Sequence, residues 1–215
     1  MKITVVYDNE VLREGLTAGW GFSCLIDKDI LFDTGGDGVA LLDNMRKLGI
    51  DPSDIERVVL SHAHGDHTGG LFELLEENQD LSIYAPEQLS RALNSRIPAK
   101  TKLVEIREPT QITKDVFTTG GLGTFIKEQS LVYLDRRGAF VITGCSHPGL
   151  GTILNAASKF GKVYGVIGGF HGFNDFHILK SVKLISPCHC TQYKRGIASA
   201  FPKQYVKCGV GLVIE

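Results

Sequence analysis

The sequence predicts a layered α/β fold in one domain, residues 1–215, with sheets covered by helices around one core. Three observations carry that expectation. Strand-like runs outnumber helical ones, and the helices are interspersed among the strands rather than segregated. No linker, low-complexity tract or repeat divides the chain. Apolar residues at 43% and charged residues at 22% are the balance of a soluble globular protein with a sizeable core.

Short apolar or β-branched runs bounded by Gly, Asp, Asn or Pro predict strands at 3–7, 22–26, 30–32, 58–60, 82–85, 131–134, 140–143, 163–167 and 183–186. Helical spacing appears between several of them. The stretch 39–48 places Leu41, Leu42, Met45 and Leu48 on one face, and 71–77 sets Leu71, Leu74 and Leu75 against acids. Further helices are expected at 86–93, 151–160 and 176–181. Arg137-Gly138 lies between two strands, so 131–143 reads as a hairpin. The stretch 100–119 reads as a loop.

The run His62-Ala63-His64-Gly65-Asp66-His67 follows the buried-type strand at 58–60 directly. In an extended segment alternate side chains point the same way, so His62 and His64 converge on one ion. A turn at Gly65 then lets Asp66 and His67 face a neighbouring position before the helix at 71–77. Three imidazoles and a carboxylate within six residues suit zinc, iron, manganese or nickel and not calcium. Crowding three imidazoles offers little packing benefit, so core histidines are the weaker reading.

The formal net charge is −1, which gives no global signature of a nucleic-acid binder. The charge is uneven. Residues 148–215 hold eight Lys/Arg against two acids, Asp175 and Glu215, leaving −7 for residues 1–147. A basic C-terminal third attracts an anionic substrate, or its lysines simply lie on solvated faces; composition supports both readings equally. Cys24, Cys145, Cys188, Cys190 and Cys208 form no secretory framework, and the N-terminus reads directly into a strand. No stretch has transmembrane length. A cytoplasmic protein is expected, with no membrane partner.

Ser61–Leu71, SHAHGDHTGGL, resembles the signature of the metallo-β-lactamase superfamily, and Leu31-Phe32-Asp33-Thr34-Gly35 resembles its early Asp-Thr-Gly turn. The resemblance implies an αββα sandwich, two facing sheets with outer helices, and makes Asp33 a buttress of the metal loop. Glu128-Gln129-Ser130-Leu131, Thr143-Gly144-Cys145-Ser146-His147-Pro148-Gly149, Ile167-Gly168-Gly169-Phe170-His171 and Pro187-Cys188-His189-Cys190-Thr191 follow in order. Together they resemble the branch containing the archaeal dihydropterin–ribofuranosylaminobenzene-phosphate synthase and uncharacterised relatives. This chain reads as a short member, trimmed between about residues 100 and 116.

The resemblance implies two metal positions. His62, His64 and His147 would hold the first, and Asp66, His67 and His189 the second. The mid-chain bridging Asp of the superfamily is not found: after His147 the only acids are Asp175 and Glu215. Either water or hydroxide replaces the bridge, or Cys145 occupies it, since Thr-Gly-Cys resembles the superfamily's Thr-Gly-Asp turn. His171 then serves as ligand or as a nearby acid/base. Cys188 and Cys190, flanking His189 in a strand-like segment, are expected to point away from its face and to pack. His177 reads as structural, and Cys24 and Cys208 as core.

The expected cofactor is one or two divalent transition-metal ions, zinc first, with manganese or iron as alternatives. A bound ion lowers the pKa of water to about 7 and supplies hydroxide. Asp66 would orient it, and His171 would protonate the leaving group or hold a phosphate. Gly35-Gly36 and Gly168-Gly169 would leave room for substrate, and Lys194 and Arg195 would either contact an anion or face solvent. The function expected is a metal-dependent hydrolase of a small, anionic substrate. The alternatives are a transferase condensing a dihydropterin diphosphate with an aminobenzene-ribose phosphate, and a non-catalytic metal- or redox-responsive binding protein.

Overall fold

Strand β1 (Ile3–Tyr7) is buried along its whole length and begins the first of two units in the computed structural model, which describes residues 1–215. That unit comprises Met1–Arg107 and Cys208–Glu215; the second is Glu108–Lys207. In the first, β2 (Ser23–Ile26) and β3 (Ile30–Phe32) follow, then α1 (Gly38–Lys47), β4 (Arg57–Val59), α2 (Gly65–Thr68) and α3 (Leu71–Glu77). After them come β5 (Ser82–Pro86), α4 (Glu87–Leu93) and β6 (Lys102–Ile106). Strands β1, β2 and β3 pair antiparallel, whereas β3, β4, β5 and β6 pair parallel. The helices between the parallel strands supply the crossovers that parallel pairing needs.

Helix α1 starts where the Asp37 carboxylate accepts a 2.9 Å hydrogen bond from the Ala40 amide. Arg46 and Lys47 in its last turn face the negative end of its dipole. Leu41, Leu42 and Met45 of α1 join Leu71, Leu74 and Leu75 of α3 in one cluster with Leu31, Val58 and Ile83 of the sheet. Each such burial is worth about 1.5–3 kcal/mol. Truncating Met45, fully buried, removes about 2–5 kcal/mol.

The second unit runs β7 (Thr110–Gln111), β8 (Val116–Thr118), β9 (Leu131–Asp135), β10 (Gly138–Thr143), α5 (Leu150–Ala157), β11 (Val163–Gly169), β12 (Leu184–Cys188) and α6 (Lys194–Ala200). Strands β7 to β10 are antiparallel, and β10, β11 and β12 are parallel. Val141, Ile153, Val166, Ile185 and Ile197 lie in its core. The chain then returns to the first unit, where β13 (Val213–Ile214) pairs antiparallel with β1. The first sheet therefore reads β13-β1-β2-β3-β4-β5-β6 and the second β12-β11-β10-β9-β8-β7. No helix is long and apolar enough to cross a membrane.

Every strand expected from the sequence forms, with ends moved by a residue or two. Two expectations are corrected, and one helix was not anticipated. The stretch 100–119 is not a loop throughout but contains β6, β7 and β8. β6 is half-exposed and β7 has only two residues, so neither carries a strong apolar pattern. Phe176–Ser181 is a 3₁₀ segment, with no side-chain cap from Asp175. Helix α6 was hidden by Gly196 at its third position, which weakens helical propensity.

Candidate metal centre

In each unit the chemistry-bearing side chains gather where parallel strands end. Adjacent parallel strands end at the same edge, so side chains from several loops meet there. In the first unit the pairing of Phe32 with Val59 sets Asp33, just past β3, beside Ser61, just past β4. Asp33 is fully buried and has a left-handed φ of 55°. Its carboxylate accepts from the Ser61 amide at 2.6 Å, the Ser61 hydroxyl at 2.7 Å and His67 Nδ1 at 2.7 Å.

These bonds orient the rings. Because the Ser61 hydroxyl donates to Asp33, its oxygen accepts from His62 Nδ1 at 2.8 Å. Nδ1 of both His62 and His67 is thus protonated, and the lone pair of each ring sits on Nε2. His62 Nε2 approaches His64 Nδ1 to 3.0 Å, and His67 Nε2 lies 3.8 Å from Asp66 Oδ2. Two nitrogens on one tetrahedral zinc, at about 2.0–2.1 Å from it, sit about 3.4 Å apart. The donor set fits a divalent transition metal: neutral imidazoles and a carboxylate, with the outer ring nitrogens already tied down.

The second unit repeats the device. Glu128, fully buried before β9, accepts from the amides of Cys145, Ser146 and His147, each at 2.9 Å, and from Thr143 Oγ1 at 3.3 Å. It also accepts from His147 Nδ1 at 2.8 Å, which places that ring's lone pair on Nε2. Register between β10, β11 and β12 pairs Thr143 with Gly168 and Gly169 with Cys188, so the turns after the three strands lie together. Each contains a non-glycine residue with positive φ: Ser146 (61°), His171 (47°) and His189 (47°). Such backbone is rare for these residues and clusters at functional sites. The Cys145 Sγ lies within 4.8 Å of the ligating atoms of both His147 and His189. The His171 ring is exposed and lies beside that of His147, with centroids 5.3 Å apart and the planes tilted by 50°. A groove of about 420 Å³ beside His147 is lined by Gly123, Thr124, Phe125, Ile126 and Pro148.

Several readings of the turns change. Gly65 has ordinary helical backbone as the first residue of α2, and a Cβ there would meet nothing within 4 Å. The turn is thus one helical turn that does not depend on glycine. Gly35-Gly36 and Gly168-Gly169 leave no open room: added Cβ atoms would strike the Tyr7 ring, the Trp20 carbonyl, the Thr143 carbonyl and Cys190 Sγ. They permit close packing instead. The left-handed His189 breaks the alternation assumed for Cys188 and Cys190. Cys188 is buried, whereas Cys190 Sγ lies 3.8 Å from the Cys145 carbonyl. A hydrogen bond with the Cys145 side chain lowers the Cys190 thiol below its usual pKa, against the opposing effect of burial. His177 is exposed and pairs with Asp175. Of the basic residues in 148–215, all but the half-buried Lys194 are exposed.

Glu128 is the residue whose role sequence reasoning missed. Its signal was an acid three residues ahead of the apolar run Leu131-Val132-Tyr133-Leu134, where a buried carboxylate needs buried donors.

The fold and these two clusters define a class, and comparison with known proteins agrees: the chain belongs to the metallo-beta-lactamase superfamily, whose model matches residues 22–154. It is 30% identical to the 7,8-dihydropterin-6-methyl-4-(beta-D-ribofuranosyl)-aminobenzene-5'-phosphate synthase of Methanocaldococcus jannaschii, over 88% of this chain and 85% of that one. An uncharacterised protein of the same archaeon is 28% identical over 99% of both chains. Among solved structures, Tm1679, described as a metal-dependent hydrolase of the beta-lactamase superfamily, matches with a TM-score of 0.82 and 28% identity, covering 100% of this chain and 98% of that one.

Proposed function

We propose that this protein is a metal-dependent hydrolase of a small, anionic molecule such as a phosphoester, lactone or cyclic phosphodiester. The ligands proposed are His62, His64, Asp66, His67, His147 and His189. The observation that most supports this is the pair of buried carboxylates, Asp33 and Glu128, each holding Nδ1 of an imidazole. Two buried acids spent on aiming rings have little structural return unless the rings bind something. One or two divalent ions held there, zinc first, would activate water and polarise the bond under attack. Asp66 orients the attacking oxygen, and the exposed ring of His171 donates a proton to the leaving group or holds an anionic group of the substrate. Five cysteines carried as thiols suit a reducing compartment such as the cytoplasm.

The test is a panel of phosphodiesters, phosphomonoesters and lactones with the zinc-, manganese- and iron-loaded protein. Turnover is expected with at least one substrate class and should fall by about 100-fold or more in His62→Ala, which removes a ligand, and in Asp66→Asn. A metal-loaded protein inert toward the whole panel would overturn hydrolysis. One observation favours a second reading, the 30% identity to a synthase over most of both chains. In that reading the same ligands assist the departure of a diphosphate from a dihydropterin as an aminobenzene-ribose phosphate takes its place. Mass spectrometry of the two substrates incubated with the protein decides it: absence of the coupled product excludes the synthase.

A further inference from the structure

In the second unit an anionic-capable donor lies next to both candidate ligands, and it is a thiol. Cys145 Sγ lies within 4.8 Å of the ligating atoms of His147 and of His189. No carboxylate competes for that place in this unit. Glu128 is saturated by four donors from the turn at 143–147 and by the His147 ring. Asp175 is exposed and bound to His177. The backbone around Cys145 is held fast, with its own amide on Glu128 and left-handed Ser146 immediately after it. Gly169 of β11 lets the backbone of this turn pack closely: a Cβ there would come within 2.4 Å of the Gly144 carbonyl oxygen, 2.7 Å of Cys190 Sγ and 3.3 Å of the Cys145 Cα.

We propose that Cys145 is a metal ligand whose thiolate is shared between the position served by His147 and the position served by His189. The inference rests on the metal-binding reading above and supplies the bridging anion that the sequence otherwise lacks. Binding is balanced by loss of the thiol proton: the S–H bond breaks, the sulfur lone pair forms the bond to the metal, and the proton leaves to solvent. A thiolate also biases the choice of ion. Soft sulfur favours zinc over manganese, so this site is tuned toward zinc more than an all-His/carboxylate site would be.

The experiment is a cobalt(II) titration of the reduced, metal-depleted full-length protein, followed in the near ultraviolet. A thiolate-to-cobalt charge-transfer band is expected in the wild type and in Cys190→Ser. It should be lost in Cys145→Ser, with the second equivalent of metal bound at least about tenfold more weakly. Cys145→Asp should keep both equivalents without the band and gain relative affinity for manganese, which separates ligand loss from misfolding. A band that survives in Cys145→Ser, or that disappears in Cys190→Ser instead, overturns the proposal. Cobalt bound by the wild type with no such band also overturns it while leaving the metal-binding reading intact. A wild type that binds no cobalt defeats both.

Discussion

Asp33 and Glu128 are the residues on which the two clusters turn, and they solve the same problem in the same way. A buried carboxylate is costly unless several donors surround it. Asp33 has three and Glu128 five, in each case including a ring Nδ1. Asp33→Asn is a clean probe, because Asn tolerates the left-handed φ of 55° as well as Asp does. The substitution removes the charge and misorients the proton on the His67 ring without straining the backbone. Metal affinity is expected to fall about 10–100-fold, measured by competition with a chromophoric chelator. Glu128→Gln is expected to do the same and also to destabilise the turn, since an amide NH₂ then faces backbone N–H groups at a cost of about 1–3 kcal/mol. Unchanged affinity in both variants would remove the carboxylates from any role in ligand positioning.

Among the elements, the hairpin of β9 and β10 shows what local sequence can specify. The Asp135 carboxylate accepts from the Arg137 amide at 2.8 Å and from its guanidinium at 2.9 and 2.7 Å. The guanidinium lies over Phe140 and Tyr164, 4.7 and 5.4 Å from the ring centroids. Arg137→Ala is expected to cost about 1–2 kcal/mol in urea denaturation at neutral pH. The hydrogen bond from Arg137 holds the Asp135 carboxyl below its ordinary pKa. That part of the stability is therefore present above the ordinary carboxylate range and is lost as pH falls through the folded-state value. The gap between wild type and Arg137→Ala should narrow in acid; a gap independent of pH would assign the cost to ring contacts alone. Helix α3 matches its expected 71–77 span to the residue because Leu71, Leu74 and Leu75 follow helical spacing closely. β6, β7 and β8 lacked such a pattern, being short or half-exposed, and pairing with neighbours alone makes them strands.

For the whole molecule, ligand linkage is the property to measure. The chain leaves the first unit at Arg107 and returns to it at Cys208, ending in β13 against β1. The first unit is thus built from two separate stretches of chain, with the second unit inserted between them. An ion present at about 100 times its dissociation constant adds about 2.7 kcal/mol to the folded state. Chelation is therefore expected to lower the calorimetric midpoint by about 5–10 °C in a single transition, restored by added zinc. No shift on chelation of protein shown to contain metal would mean that the ion contributes nothing to the fold.

The sequence by itself determined the strand and helix periodicities and the donor types within His62–His67, because both are written in neighbouring residues. It also carried the signature that placed the chain in its superfamily. Only the tertiary structure decided what aims those donors. Asp33 meets His67 across 34 residues, and Glu128 meets His147 across 19. Cys145 and His189 come within ligand distance only because β10, β11 and β12 lie in parallel register. Such meetings depend on which strands pair and where they end, a long-range choice that no local spacing encodes.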